Sequence, residues 1–465
     1  EKITYAEFTI NNYLIECNES GICEVVGKQN GKEVQAKSIE INEINESELS
    51  IGKEIQLTAT ILPKNTTDKT ITWTSSNENV ATISTSGLLK IIEYGEVTIT
   101  AKTSNDKISE KSIDIHLMIN EVASGYYHNL LIDGLGNLWS WGSNTKGSLG
   151  NGTETSSLKP IQIKKGTKFK NVSAGEEFSL AIDGSGNLWT WGYNNYGQLG
   201  NGKTVNSKAP IQIKNGTKFK AISAGDNHSL AIDMDGNLWT WGNNQSGQLG
   251  NNTTNDSSIP IKIKNGTKFK QISAGYDYSL AIDESGNLWV WGSNKYGTLG
   301  DGTSISRKIP TKIKSGTKFK IISAGYDYSL AIDEDDNLWT WGNNEYGQLG
   351  NNTKTSSNVP IKITIEMKIK SISAGRNHTL AIDESGNLWT WGYNSKGQLG
   401  NGTKSASLKP IQIEKNTKFK NVSAGQNYSL AIDESGNLWA WGDNGNGQLG
   451  NGTTTNSLVP TKIKF

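Results

Sequence analysis

The sequence predicts an all-β protein in which a β-sandwich precedes a seven-bladed β-propeller. Three observations favour this class. A segment of about fifty residues recurs seven times between residue 119 and the C-terminus. Short runs alternate apolar and polar residues, which is the period of a strand, and the chain holds 52 Gly, a turn-rich composition. One such unit cannot bury its apolar face alone, so neighbours must stack, and seven β units predict a closed ring.

Composition narrows the range of partners and compartments. The formal net charge is +1, so no global charge favours nucleic acid, and we expect no nucleic-acid partner. The sequence has no run of 18 apolar residues, so no transmembrane segment is expected. The first residue is Glu1 rather than Met, which fits either a processed secreted protein or a trimmed chain.

Residues 1–40 predict a β-rich N-terminal segment, because apolar and polar residues alternate there around an Asn30-Gly31 turn. A short hairpin would place Cys17 opposite Cys23, so the two cysteines are candidates for a disulfide in an oxidising compartment. Two reduced thiols are the alternative. Zinc is not expected, since two thiols without a nearby histidine do not complete a site.

Residues 41–118 carry a different pattern, in which short alternating strands are separated by turn residues and Trp73 is available to fill a core. The stretch from Trp73 to Gly87 reads WTSSNENVATISTSG. On these residues the segment resembles the group 2 bacterial immunoglobulin-like domain. The resemblance implies an immunoglobulin-like β-sandwich from a family common in bacterial surface and secreted proteins, usually as a spacer or an adhesive module.

Residues 119–465 hold the repeats, and each unit predicts four strands. In the second unit these lie around FKNVSAG, SLAID, NLWTWG and PIQIK. Trp189 and Trp191 are two residues apart and point to one face, so we interpret the pair as core between blades. Small residues in Ser-Ala-Gly suit the innermost strand. Pro at the start of the last strand, with outward Lys, indicates the outermost strand.

The units contain the motifs A-G-x-x-H/Y-S-L-A-I-D, G-N-L-W-x-W-G and G-Q-L-G-N-G. On these motifs the chain closely resembles the regulator of chromosome condensation repeat family, and the resemblance covers all seven copies. It implies a seven-bladed propeller. The family's exchange factor uses an insertion that these regular units lack, which argues against exchange activity. A similar secreted bacterial propeller binds through aromatic residues in its loops, which implies a mode of binding but not a target.

Several polar residues that recur between the repeats are interpreted as structural. His128, His228 and His378 share one repeat position with Phe or Tyr in the other copies, which indicates a flat packing ring. The stretch from Asp183 to Asn187 lacks the remaining oxygens of a calcium loop and is typical of a β-turn. No nucleophile, base and orienting group stand together. We expect no catalytic residue, no metal site, no cofactor and no enzymatic activity.

The copies differ most in the two residues that follow each Ala-Gly, or Ser-Gly in the first copy. These pairs leave the innermost strand and are expected to ring one mouth of the channel, where loops on a rigid scaffold usually bind. A second variable set follows each Trp-Gly. Tyr with scattered charge is typical of interfaces, and ordinary drift of exposed loops is the alternative. The predicted binding residues are Tyr126, Tyr127, Glu176, Glu177, Asp226, Tyr276, Asp277, Tyr326, Asp327 and Arg376.

Together these patterns predict a secreted or cell-surface bacterial protein that binds a macromolecule through one propeller face. The expected partner is a host or bacterial surface protein, with a glycan as an alternative. The immunoglobulin-like domain would act as a spacer or a second contact. Two other functions stay open: a polysaccharide-active enzyme with its site in the propeller channel, and a structural surface protein without a specific ligand.

Overall fold

The computed structural model describes residues 6–10, 13–17, 23–28, 33–44, 49, 51–115, 117–213, 216–263, 266–313 and 316–465. The chain divides into two compact units, Glu1–Leu117 and Met118–Phe465. Every regular element among the described residues is a β-strand, which confirms the all-β class. Within these ranges no helix has the length and apolar character needed to cross a membrane.

The first unit begins with a three-stranded antiparallel sheet in the order β1-β2-β3. Its strands are β1 (Ala6–Ile10), β2 (Tyr13–Cys17) and β3 (Cys23–Lys28). The register of β2 and β3 places Cys17 opposite Cys23. Cys23 is disulfide-bonded, and Cys17 is the other cysteine of the sequence.

Eight further strands complete the first unit. They are β4 (Ser38–Ile41), β5 (Glu54–Gln56), β6 (Ala59–Leu62), β7 (Ile71–Ser75), β8 (Ala81–Ile83), β9 (Leu88–Ile91), β10 (Gly95–Thr103) and β11 (Ile108–Ile115). They form the sheets β4-β6, β5-β9-β8 and β11-β10-β7. Because β4 pairs with β6, the strands that pair with residues 41–118 begin at Ser38, three residues before the predicted boundary at residue 41.

Alternating apolar residues of these sheets form a common core. Leu57, Leu89, Ile99 and Ile113 are buried there, and Trp73 packs partly buried against them. The alternation along β10, with Val97, Ile99 and Ala101 inside, is the period-two pattern that the sequence shows.

The second unit consists of seven four-stranded antiparallel sheets, called sheets 1 to 7, whose strands lie side by side in chain order. The first strands are Ile119–Ser124, Phe169–Ala174, Phe219–Ala224, Phe269–Ala274, Phe319–Ala324, Ile369–Ala374 and Phe419–Ala424. The second strands are His128–Asp133, Phe178–Asp183, His228–Asp233, Tyr278–Asp283, Tyr328–Asp333, His378–Asp383 and Tyr428–Asp433. The third strands are Leu138–Gly142, Leu188–Gly192, Leu238–Gly242, Leu288–Gly292, Leu338–Gly342, Leu388–Gly392 and Leu438–Gly442. The fourth strands are Ser157–Ile163, Ser207–Gln212, Ser257–Lys262, Arg307–Lys312, Ser357–Lys362, Ser407–Ile413 and Ser457–Lys462.

Antiparallel order assigns the connections to two faces. The loops from first to second strand and from third to fourth strand lie at one end of each sheet, which we call the mouth face. In sheet 2 these are residues 175–177 and 193–206. The turns from second to third strand, and the links to the next sheet, lie at the other end, which we call the opposite face. In sheet 2 these include residues 184–187.

The two Trp of each third strand play different parts, although the sequence predicts one uniform core. In sheet 2, Trp191 is fully buried, and its Nε1 donates a hydrogen bond to the Ser148 carbonyl of sheet 1 at 2.7 Å. Trp189 is only partly buried. Its Nε1 donates to Asp183 of the same sheet at 2.9 Å, and its ring meets Phe169 edge-on with centroids 6.3 Å apart. Trp191 thus joins neighbouring sheets, and Trp189 stabilises the turn that follows Asp183.

Sheet 7 packs against sheet 1 and closes the ring. The Nε1 of Trp141 donates to the Gln448 carbonyl at 2.9 Å, the same contact that the other buried Trp side chains make to the preceding sheet. Sheet 1 carries Ile119 where most sheets carry Phe. The ring of Phe465 lies against Trp139 there, with centroids 6.0 Å apart. The C-terminal aromatic thus contacts the half-buried Trp of sheet 1.

Candidate functional site

The two variable sets of each repeat lie side by side on the mouth face. In sheet 2 the carbonyl of Glu177, the second residue after Ala-Gly, accepts a hydrogen bond from the N–H of Tyr193 at 2.9 Å. In sheet 4 the Asp277 carbonyl accepts one from Ser293 at 2.8 Å, and all seven sheets have the equivalent bond. The variable residues therefore form one continuous surface.

The glycine of each Ala-Gly is required by a close approach. A Cβ on Gly275 would lie 2.2 Å from the ring of Tyr278, and one on Gly425 would lie 2.1 Å from the ring of Tyr428. The ring at this repeat position covers the glycine, and only the absence of a side chain lets the backbone pass over it. The residue after the glycine then stands at the channel.

The seven Ala-Gly or Ser-Gly ends surround a cavity of about 100 Å³ at the mouth. The predicted residues that line it are Tyr126, Asp226, Tyr276, Tyr326 and Arg376. With Glu176, whose N–H donates to the Asp226 carbonyl at 3.4 Å, we call these the inner set.

The remaining predicted residues take the second place after the glycine and do not line the cavity. We call them the outer set: Tyr127, Glu177, Asp277 and Asp327. The structure thus divides the single predicted ring into two, one at the cavity and one beside the neighbouring loop.

Aromatic rings cover the cavity. Tyr276 and Tyr326 stack with centroids 4.1 Å apart and an interplanar angle of 29°. Tyr126 of sheet 1 reaches Tyr326 of sheet 5, with centroids 6.5 Å apart, so the cluster crosses the channel. The Arg376 guanidinium carbon lies 4.8 Å from the Tyr326 centroid, which is cation–π geometry.

Asp226 is the most buried acid of the inner set, with 7% of its surface exposed. Its Oδ2 accepts a hydrogen bond from Asn227 Nδ2 at 2.8 Å, whereas its Oδ1 has no hydrogen-bond partner. The buried hydroxyl of Tyr126 interacts electrostatically with Asp226 but makes no hydrogen bond of good geometry. Burial and the charge of Glu176 raise the pKa of Asp226 to about 8. The mouth therefore holds a carboxyl group with an unused acceptor atom.

Two of the three outer acids are anchored by the neighbouring loop. Gln248 Nε2 donates to Asp277 Oδ1 at 3.1 Å, and Thr145 Oγ1 donates to Glu177 Oε1 at 2.9 Å. Burial raises the pKa of Asp277. Burial and the charge of Asp277 raise the pKa of Asp327 to about 6. Protein contacts thus hold Asp277 and Glu177 in place before any ligand arrives.

Gln248, in the Gly-Gln-Leu-Gly motif, is a positioning residue that the predicted site does not include. A signal was present, since the same repeat position holds Ser148 in sheet 1 and Thr298 in sheet 4. Gln198 makes the equivalent contact to Asn227 at 3.0 Å, so the side chain at this position acts on the neighbouring loop as well as on its own turn.

A buried Asn in each long loop explains why the loop keeps its shape while its tip varies. In sheet 2, Asn194 Nδ2 donates to the carbonyls of Lys203 and Val205 at 2.9 and 3.0 Å. Its Oδ1 accepts from the Leu199 N–H at 2.9 Å. The tip residues beside this Asn can therefore differ between sheets. Most residues of the second variable set, including its tyrosines, lie at these tips.

The three repeated histidines lie outside the site. His128, His228 and His378 are buried, and each Nε2 lies 2.9 to 3.0 Å from a Ser hydroxyl of the next sheet. Burial lowers the pKa of His128 to about 4 and that of the other two to about 3. They are neutral rings that join sheets. In the part of the chain that the structure describes, no three His, Cys, Asp or Glu side chains are grouped so as to hold a metal ion.

These features define a class of protein, a ring of β-sheets with a uniform frame and a variable mouth face. Residues 93–418 match the family model described as the RCC1-like domain, which is more than half of the chain. Residues 419–448 and 435–465 match the Regulator of chromosome condensation (RCC1) repeat. Residues 35–113 match the Bacterial Ig-like domain (group 2). The chain belongs to the RCC1-like domain family, as its motifs predict.

Solved structures of this fold confirm the propeller. Human WBSCR16 is 22% identical, with a TM-score of 0.65 and coverage of 71% of this chain and 94% of that chain. Prp20p of Saccharomyces cerevisiae is 24% identical, with a TM-score of 0.65 and coverage of 75% and 88%. Yeast RCC1 (Prp20) bound to Kap60 is 23% identical, with a TM-score of 0.64 and coverage of 75% and 86%. At these identities the likeness establishes the fold.

Curated relatives match only in part. A 3-O-alpha-D-galactosyl-alpha-L-arabinofuranosidase of Bifidobacterium longum is 39% identical over 67 residues, 14% of this chain and 6% of that protein. The kappa-carrageenase of Pseudoalteromonas carrageenovora is 34% identical over 84 residues, 18% of this chain and 21% of that protein. The chain thus spans a small part of these relatives' length.

Proposed function

We propose that this chain is a bacterial binding protein, secreted or displayed at the cell surface, that engages a protein partner through the mouth face. In this proposal the seven sheets are the blades of a seven-bladed propeller. The preceding immunoglobulin-like sandwich serves as a spacer or a second contact. The protein works by binding and not by catalysis.

The distribution of tyrosine carries the proposal. Nine of the 15 tyrosines follow Ala-Gly, Ser-Gly or Trp-Gly on the mouth face. They are Tyr126, Tyr127, Tyr193, Tyr196, Tyr276, Tyr296, Tyr326, Tyr346 and Tyr393. Apart from Phe465 at the C-terminus, the turns and links of the opposite face contain no Tyr, Trp or Phe in the sequence. Tyr gives a large amphipathic contact area at low entropic cost, which is why it dominates binding surfaces.

The mouth face is also ordered before binding. The buried Asn side chains and the loop-to-loop backbone bonds fix the tips, and Tyr346 packs against Tyr393 of the next sheet with centroids 4.7 Å apart. A surface that is already rigid loses little conformational entropy when a partner binds, so its contacts translate into affinity.

Three further observations support the compartment and the partner class. A disulfide at Cys23 fits an oxidising environment. The partial curated relatives belong to bacteria. The yeast protein of this fold is bound to Kap60 in its solved structure, which is a precedent for protein binding by the fold, although the partner itself does not carry over.

The proposal is tested by affinity capture from bacterial and host surface extracts with the full chain as bait. A Tyr276→Ala/Tyr326→Ala variant is the test, and Met234→Ala, an exposed residue on the opposite face, is the matched control. We expect a protein that is captured by the wild type and by the control but lost with the double variant, at an unchanged melting temperature. Capture that survives the double variant would refute the mouth face as the binding surface.

A carbohydrate-active enzyme is the second candidate. Glu176 and Asp226 are neighbouring carboxyls whose pKa values are both raised by burial, and glycoside hydrolases use a carboxyl pair. Two partial relatives bear the names of such enzymes. The cavity weighs against this function, because about 100 Å³ is below the roughly 300–1,000 Å³ of ordinary small-molecule sites. Release of reducing ends from carrageenan or arabinan, abolished by Asp226→Asn, would favour the enzyme.

A further inference from the structure

The cavity at the mouth contains an acid that the protein itself does not fully use. Asp226 lines the cavity, is 7% exposed, and has an Oδ1 atom without a hydrogen-bond partner. The hydroxyl of Tyr126 is buried beside it and interacts with Asp226 electrostatically, but it makes no hydrogen bond of good geometry. Buried polar atoms are normally paired, so each unpaired atom calls for an explanation. A ligand group that donates hydrogen bonds at this point would satisfy both.

The rings beside Asp226 are suited to a cation. Tyr276 and Tyr326 are stacked at 4.1 Å, and the chain already places one guanidinium, that of Arg376, 4.8 Å from the Tyr326 centroid. Tyrosine faces attract Lys and Arg head groups because the ring face is electronegative. The inner and outer sets together contain five acids and one arginine, so the charge of these two sets also favours a positive group.

Other ligand classes fit less well. A divalent metal needs several converging oxygen ligands, and no three side chains among the described residues are grouped for it. A free anion meets five acids. A neutral sugar would leave the charge of the acids unpaired, and the cavity of about 100 Å³ is smaller than the roughly 300–1,000 Å³ of ordinary small-molecule sites. A charged group at the end of a narrow alkyl chain satisfies the charge, the rings and the volume at once.

We propose that the mouth receives the guanidinium or ammonium group of an Arg or Lys side chain from the protein partner, with its donors on Asp226 and its face or edge against the tyrosines. This inference rests on the proposed function and names the chemistry of the partner residue at the centre of the interface. Central, desolvated, charged or aromatic anchors are the residues that usually dominate binding energy. The mouth-face tyrosines farther out would contact the surrounding partner surface.

Such a contact depends on pH, because the cation needs an ionised acid. Asp226 is faced by Glu176, Asp277 and the hydroxyls of Tyr126, Tyr276 and Tyr326. Burial and the charge of Glu176 raise the pKa of Asp226 to about 8. Glu176 is in turn faced by Glu177, Asp226 and Arg376, and its pKa is also raised by burial. Protonated carboxyls attract a cation weakly. Affinity for the cationic group should therefore rise between pH 6 and pH 9 as the acids ionise.

The test uses saturation-transfer NMR on the full chain with capped pentapeptides Gly-Ser-X-Ser-Gly, in which X is Arg, Lys or the neutral isostere citrulline. We expect transfer to the Arg and Lys side-chain ends and an affinity about tenfold or more lower for citrulline. Asp226→Asn should weaken Arg-peptide binding by about tenfold, whereas Glu284→Gln, an exposed acid in the opposite-face turn of sheet 4, should change it by less than about twofold. If Asp226→Asn lowers the melting temperature, Glu176→Gln replaces it as the test.

Several results would overturn the inference. Equal binding of the citrulline peptide, no transfer to any peptide, or full binding by a well-folded Asp226→Asn variant would each do so. Competition by spermidine or free arginine at concentrations equal to the peptide would assign the site to a small amine instead of a protein side chain. A partner that is lost with Tyr276→Ala/Tyr326→Ala but retained by Asp226→Asn would leave the proposed function standing and remove only this inference.

Discussion

On the opposite face every sheet repeats one turn, whereas on the mouth face only sheets 4 and 5 share the same pair of residues after the glycine. The repeated turn is held by Asp233 and its equivalents. Asp233 accepts hydrogen bonds from the Asn237 backbone and side chain and from Trp239 Nε1, at 2.7 to 3.0 Å. The mouth loops are held by the buried Asn side chains and by backbone hydrogen bonds, so their shape does not depend on the side chains at the tips. One repeat thus supplies both a uniform face that stabilises the ring and a face whose side chains can differ.

The fold also shifts the pKa values of the carboxyl groups in opposite directions on the two faces. On the opposite face burial pushes the pKa of Asp183 up, but hydrogen bonds from Trp189 and Asn187 outweigh it, and the pKa is lowered. At the mouth, burial and like charge raise the pKa values of Asp226 and Asp327. The fold therefore favours the ionised form of the turn acids and disfavours the ionised form of the mouth acids. Residues kept at such a cost are typical of binding sites.

The largest expected effect is on partner affinity. Tyr276→Ala and Tyr326→Ala each remove half of the stacked pair at the cavity and should each weaken binding by about 2–4 kcal/mol, as central aromatic anchors do. Titration calorimetry with the captured partner measures the loss. Met234→Ala on the opposite face should leave affinity unchanged, and an equal loss from that control would erase the difference between the faces.

The next effect is on stability and comes from the opposite face. Asp233→Ala leaves the Trp239 Nε1 and the Asn237 N–H without their acceptor and should cost about 2–3 kcal/mol of unfolding free energy. Denaturant unfolding measures this cost. Partner affinity should stay within about twofold of wild type at a temperature where the variant is folded. A loss of affinity as large as that of the Tyr variants would show that the opposite-face turn influences partner binding at the mouth face.

A smaller effect is expected on the pH dependence of stability, which should differ between the acids of the two faces. The pKa of Asp226 is raised from 3.8 to about 8, so the stability it contributes is fully present below pH 4 and is lost as the pH rises through about 8. Glu121, whose pKa burial raises to about 7, adds to the same alkaline loss. Asp226→Asn should therefore gain about 1–2 kcal/mol relative to wild type at pH 9 and little at pH 4. Denaturant unfolding at both pH values measures the gain.

The acid side provides the control for that experiment. The lowered pKa of Asp183 and its equivalents contributes stability that is present above their unfolded pKa and lost as the pH falls through the folded one. Asp226→Asn should leave this acid limb intact. An Asp226→Asn variant with the same alkaline loss as wild type would show that the mouth acid is not strained.

The smallest effect is expected from exchanging opposite-face residues between sheets. Met234→Glu with Asp235→Ser gives sheet 3 the turn residues of sheet 4. Because the hydrogen bonds of the turn come from Asp233 and Asn237, stability should change by less than about 0.5 kcal/mol. Thermal unfolding and the capture assay should both match wild type.

Much of this arrangement is predictable from the sequence, because it is encoded locally and seven times over. The strand order, the Trp pairs, the turn acids and the position of the variable loops all follow from periodicity and turn chemistry. The difference between Trp189 and Trp191 does not, since both point to one face and only the depth between sheets separates them. The contact of Tyr126 with Tyr326 joins residues of sheets 1 and 5, which no local pattern relates.

The burial of Asp226 has the same origin. The sequence places it among the variable loop residues, but whether such an acid faces water or a closed cavity depends on the rings contributed by other sheets. The anchoring of Asp277 by Gln248 is likewise a contact between neighbouring sheets. Local sequence thus predicts which residues reach the mouth, and the closed ring decides how they are buried and charged.

Hydrogen–deuterium exchange on the complex of the full chain with its captured partner tests the central claim most directly. Loop amides next to the cavity, such as those of residues 125–127, 225–227, 275–277 and 325–327, should become more protected, together with the loop tips 293–296 and 343–346. The opposite-face turns 184–187, 234–237 and 284–287 should exchange as in the free protein. Protection confined to those turns, with unchanged exchange at the mouth, would contradict the assignment of the mouth face as the binding surface.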